Sequence, residues 1–220
     1  MVILIALSIL CAGGAAAAVL LEVRPLNLVV ASNTERWQML RRDPPPIALS
    51  LASDRGLLDT CLSAVTSVYG RMRATDDRRA VAANCGHFAE ASAAMMPSNS
   101  YAWYSAAHAA ALGADSSRFE QYWLQSARTA PNEQWLAALR VVLLEDNPAL
   151  ATPALRDAER QDLALLVTSR RGISAIAKRY VAQRDFRERV VSVVEQMPQA
   201  DQRRFLDAVT QEAASSGAAR

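Results

Sequence analysis

Apolar side chains in this chain recur mostly at three- and four-residue spacing, the period of a helix with one buried face, and the alternating Val/Ile/Thr-rich runs that mark strands are missing. The first departure comes at the amino terminus, where no residue from Val2 to Leu21 is charged. At a rise of about 1.5 Å per residue, such a run reaches roughly 30 Å, the thickness of a bilayer's hydrocarbon core. Residues 1–22 therefore read as a transmembrane anchor. Ala15 to Ala18 also offer the small-residue pattern of a signal-peptidase site; against cleavage, Val19 to Leu21 continue the apolar run and no basic residue precedes it. Cys11 follows Leu10, too large for the cleaved position of a lipobox, and reads as an apolar residue of the span.

Residues 23–47 read as a linker closing on Pro44-Pro45-Pro46, which lack backbone donors and favour an extended polyproline path. Trp37, with Met39 and Leu40, reads as a packing contact or a membrane-surface anchor. Residues 48–214 are expected to form an all-helical domain, and 215–220 a frayed tail. A helix over 50–72 would carry Leu58, Cys61, Leu62, Val65, Tyr69 and Met72 on one face; a second over 76–96 would carry Val81, Cys85, Phe88, Ser92 and Met95. Antiparallel pairing across the turn at 73–75 sets opposite each other residues whose numbers sum to about 148, and 61 and 85 sum to 146. The two sulfurs then come within disulfide reach, with two buried free thiols as the alternative.

Farther on, Ser98 is positioned to cap a helix that ends before Gly113, and Ser117 with Glu120 has the spacing of a capping box for the next, whose stripe is Phe119, Tyr122, Trp123 and Ala127. A third helix is expected from Pro131-Asn132 with Trp135, Leu139, Val142 and Leu143 on its face, stopped by Asp146-Asn147-Pro148. Thr152-Pro153 marks another start. Stripes through Leu155, Leu163, Leu166 and Val167, then Ile173, Ile176, Ala177, Tyr180 and Val181, then Phe186, Val190, Val193, Val194 and Met197, and a last helix after Pro198 with Phe205, Leu206 and Val209, complete the chain.

Pro97-Ser-Asn-Ser-Tyr-Ala-Trp103 is echoed by Pro131-Asn-Glu-Gln-Trp135, with the prolines 34 residues apart. This segment resembles a tetratricopeptide repeat. Setting Pro131 on that family's closing proline puts Trp103 on its tryptophan, Ala107 on its small residue and Trp123 on its second-helix aromatic. Ala106, Ala110 and Phe119 depart from the pattern, the last two as an exchange of large and small. The resemblance covers about 50 of 220 residues. It implies stacked antiparallel helical hairpins, a solenoid or irregular bundle that can hold a protein partner, so the expected chain is all-α, with the transmembrane helix read from the uncharged run ahead of that stack.

Composition narrows the function. The 24 basic and 22 acidic residues leave a net charge of +2, too small a field to recruit nucleic acid, and no nucleic-acid partner is expected. Only Lys178 among the basic residues is a lysine, an arginine-for-lysine bias that, with abundant alanine, favours a bacterial chain. Orientation is contested: Arg24, Arg36, Arg41 and Arg42 after the span favour a cytoplasmic body, whereas a Cys61–Cys85 bond requires an oxidising compartment such as the periplasm. His87 and His108 lack metal-site spacing, Ser174 and Lys178 lack that of a Ser-x-x-Lys pair, and no phosphate loop or nucleophile elbow occurs. No catalytic residue, cofactor or metal is expected. The leading expectation is a membrane-anchored scaffold of the bacterial envelope. Its layout resembles that of helical-repeat proteins associated with exopolysaccharide production. The alternatives are a structural subunit of an integral membrane complex and a polysaccharide-acting enzyme or binder.

Overall fold

The computed structural model describes residues 2–218, which form twelve α-helices and one short 3-10 turn; among the described residues there is no strand. The fold is all-α. It divides into two compact units, one ending at Phe119 and one beginning at Glu120. Of the tail expected over 215–220, the last two residues lie outside the described ones, and residues 215–218 continue the final helix.

The first unit opens with α1 (Val2–Val30), whose stretch Leu7–Val30 is long and apolar enough to cross a membrane. The helix does not stop where the uncharged run stops. It continues through Pro25 to Val30 and buries Leu28. α2 (Asn33–Arg42) follows, opened by a capping box between Ser32 and Glu35. The segment expected as a linker over 23–47 is thus largely helical and part of the folded body. Trp37 and Leu40 are buried, and Trp37 meets Tyr69 edge-to-face at 6.1 Å, which makes it a packing residue. Arg36 donates to the carbonyls of Leu28, Val29 and Ala31, satisfying the acceptors that the end of α1 leaves open.

The helix expected over 50–72 breaks in two, α3 (Leu51–Thr66) and the short α4 (Val68–Arg71). Ser67 caps the second piece by accepting from the Gly70 N–H at 3.2 Å. A side chain at position 70 would sit 1.8 Å from the Ala64 carbonyl oxygen, so only glycine lets α4 fold back on the end of α3. Met72, expected on the buried stripe, is 81% exposed as a result. α5 (Thr75–Met95) runs antiparallel to α3: the Asp54–Ser92 hydrogen bond and the Cys61–Cys85 bond share one register. Its Met95 lies beyond the contact and is exposed. α6 (Ser100–Leu112) returns along α5 with small residues at the seam, Ala89 and Ala93 facing a helix that buries Ala102, Ala106 and Ala107. A Cβ on Gly86 would stand 3.0 Å from that of Ala109, which measures how closely the backbones approach. Asn99, not Ser98, caps α6 through the Ala102 N–H.

α7 (Ser116–Thr129) spans the unit boundary and starts on Asp115, whose carboxylate accepts from the Arg118 N–H in place of the expected Ser117 box. In the second unit α8 (Gln134–Glu145) leads through a 3-10 turn (Pro148–Leu150) to α9 (Pro153–Val167), α10 (Arg170–Ala182), α11 (Arg184–Val194) and α12 (Gln199–Ala218). Its core gathers Val141, Leu163, Leu166, Ile173, Ile176, Phe186, Val190 and Phe205. The face of α8 is turned by about one position from the expected one: Leu136, Ala137, Val141 and Leu144 are buried together with the expected Leu143, Leu139 is half-buried, and Trp135 and Val142 are 40% and 41% exposed. A run apolar on nearly every side carries little phase information, and the tryptophan misled. Leu206 of α12 is likewise exposed beside the buried Phe205.

Candidate functional site

In the first unit, α3 and α6 pack side by side and carry a row of polar and aromatic groups whose middle ring, Tyr104, is buried while Tyr101 and His108 are partly exposed. On α6, Tyr101, Tyr104 and His108 recur at helical spacing; the two tyrosine rings are near-parallel with centroids 6.1 Å apart, and Tyr104 lies 6.4 Å from the His108 ring. On α3, one turn apart, stand Arg55 and Asp59, both exposed. The Arg55 guanidinium lies 5.6 Å from the Tyr101 centroid and the Tyr101 hydroxyl donates to the Asp59 carboxylate. Burial of the ring, then the bond to Asp59, pushes the Tyr101 hydroxyl well above its ordinary range, so it stays a donor. The accessible part of this row is thus the Tyr101 and His108 edges beside one cation and one anion, with Tyr104 packed beneath them.

Beneath this row Cys61 and Cys85 are joined in a disulfide between α3 and α5, their Cα atoms 5.6 Å apart. Below them Asp54 accepts from the Ser92 hydroxyl at 2.8 Å and from Asn99, tying α3 to the turn before α6. Burial raises the Asp54 pKa against those two bonds. The α3–α5–α6 layer is therefore held by one covalent and one polar tie.

The residues that carry the repeat resemblance fall in different environments. Trp103 is half-buried and donates its indole N–H to the Pro97 carbonyl at 2.9 Å; Ala107 and Trp123 are fully buried. Pro97 and Pro131 are exposed in turns, and the Trp135 indole bonds Glu133 at 3.1 Å. No single site collects them.

Two buried ionic clusters in the second unit escaped sequence reasoning. Arg140 is wholly buried and bidentate to Asp162 at 2.6 and 2.8 Å; it also donates to the Ser126 and Ala130 carbonyls, while Trp123 donates to the Arg140 carbonyl. This guanidinium stitches the end of α7 to α8 and α9. Nearby in sequence, Glu145 of α8 receives Arg156 of α9 and Arg189 of α11, and Arg156 also reaches Glu159 at 2.7 Å. Burial, opposed by Arg156 but reinforced by the Glu145 carboxylate, pushes Glu159 up to about 7. Glu145 is penalised by burial as well, but its two arginines more than offset that and hold it below the usual range. The only sequence signal was a charged residue inside an apolar stripe, which says that a partner exists but not which.

A cleft of about 850 Å³ opens between the end of α1, α2 and Pro44 to Pro46, with Arg24 and Arg42 among its lining residues. Among the described residues no group of three or more His, Cys, Asp or Glu is arranged to hold a metal, and His87 stands exposed 4.0 Å from Glu90. Comparison with protein-family models, with curated proteins and with solved structures found no match.

Proposed function

We propose that this chain is a membrane-anchored protein–protein interaction module of the bacterial cell envelope, which displays the α3–α6 row to a polypeptide partner on the oxidising side of the membrane. The observation that carries the reading is the row itself: Arg55 and Asp59 are exposed and Tyr101 and His108 partly so, over a buried Tyr104 that backs them, an amphipathic surface that includes residue types common in binding hot spots, mounted on a layer stapled by Cys61–Cys85. The tetratricopeptide-like spacing from Pro97 to Trp135 supports the same class, because helices of that kind serve as platforms. The disulfide favours the periplasm over the cytoplasm: a structural bond does not persist under cytosolic reduction, whereas the arginine excess after the span is a statistical bias.

The test is photo-cross-linking in intact cells with the reactive amino acid at Arg55, Asp59 or, as control, Met72, which is 81% exposed and away from the row. A discrete adduct from positions 55 and 59, absent at 72 and lost on Tyr101→Ala, supports the reading. Identical patterns at all three positions refute it.

A further inference from the structure

α1 and α3 run parallel where they meet: Glu22 of α1 touches residues 49, 50 and 53, and seven residues on, Val29 faces Gly56, 3.7 Å from where a Cβ would be. The Glu22 carboxylate accepts from the N–H groups of Leu49 and Ser50, each at 2.7 Å, from the Ser50 hydroxyl at 2.9 Å, and from the Ser53 hydroxyl. Glu22 is also the first charge after the uncharged run, about twenty residues or one hydrocarbon thickness from its start. If α1 spans the bilayer, as the proposed function holds, Glu22 marks the hydrocarbon boundary and its four bonds fix the start of α3 at that level. The chain entering α3 there is apolar and uncovered: Ile47, Leu49 and Leu51 are 45%, 62% and 61% exposed, beside Val23 and Leu26 of α1, also exposed. Such side chains clustered against a span are what an interfacial segment buries among acyl chains.

We propose that the segment 47–51 is a membrane-seating wedge: Leu49 and Leu51 enter the bilayer at its boundary, so that the Glu22 clasp holds the body flush on the membrane rather than on a flexible leash. The occupant of this face is the lipid of the bilayer that α1 crosses, because one continuous helix and four hydrogen bonds tie the two surfaces together. Arg24, two residues past the clasp, lies at the height of the lipid phosphates.

Nitroxide accessibility in vesicles of phosphatidylcholine and phosphatidylglycerol tests this, using the full chain with Cys11→Ser and its disulfide intact. Labels are placed through Leu49→Cys, Leu51→Cys, Met72→Cys and Ile9→Cys, all exposed positions. The expected result is at least fivefold shielding of labels 49 and 51 from a water-soluble nickel reagent relative to label 72, with oxygen collisions approaching those of label 9. Labels 49 and 51 as nickel-accessible as 72, while 9 is lipid-immersed, overturn the wedge and leave the span standing. Protection of 49 and 51 from both reagents means that protein covers the face and also overturns it. Nickel access at label 9 removes the span and the wedge together.

Discussion

At the scale of the residue, the second unit depends on charges that burial makes costly to disturb. Arg140 satisfies a carboxylate and two helix-end carbonyls at once, so its loss leaves Asp162 buried and unpaired. Arg140→Met should cost about 3–5 kcal/mol in chemical denaturation, and the further change Asp162→Leu should recover much of it. Glu159 gives a pH signature. Its folded pKa of about 7 lies above the ordinary carboxylate value, so the folded state binds the proton more tightly. Its contribution is complete below about pH 4.5 and disappears as pH rises through 7, a loss on the order of 3 kcal/mol. The denaturant midpoint should fall between pH 5 and 8, and Glu159→Gln should flatten that fall; an unchanged slope in the variant would place the titration elsewhere. Neither cluster was legible in the sequence. Arg140 stands out from Leu136 to Leu144 as a charge in an apolar run, but its acid lies 22 positions away on another helix.

At the scale of the element, helix existence was legible and helix phase was not. Apolar spacing ran through Ser67, so one helix was expected where α3 and α4 meet at an angle permitted by glycine. The same device recurs at Ser169 and Gly172: the serine accepts from the glycine N–H at 3.0 Å, and a Cβ at 172 would lie 2.3 Å from the Leu166 carbonyl oxygen. Serine followed three residues later by glycine was the available signal for both corners. Gly70→Ala and Gly172→Ala should each destabilise by roughly 1–3 kcal/mol, read as lowered thermal midpoints with far-ultraviolet dichroism retained. Where large apolar residues sat on one side only, as in α9 with Leu155, Leu163, Leu166 and Val167, the expected face is the buried one. Where they ringed the helix, as in α8, it was off by about one position.

At the scale of the molecule, α1 and the helices that follow it in the first unit form one folded piece. Glu22, Leu28, Trp37 and Leu40 all engage the body, which the uncharged run and the prolines alone did not reveal, because the contacts are made by residues that follow the uncharged run. A chain starting at residue 22 should stay soluble and folded, whereas one starting at 47 loses three large buried side chains and on the order of 5 kcal/mol, and should aggregate. The disulfide adds about 3 kcal/mol through the loop it closes across α3 and α5. It is also the feature that distinguishes an exported body from a cytoplasmic one. Thiol trapping in native membranes therefore tests the central claim most directly: with Cys11→Ser, a maleimide–polymer reagent should add no mass until reductant is supplied, and then add to both Cys61 and Cys85. Modification of both cysteines without reductant would contradict an envelope module facing an oxidising compartment.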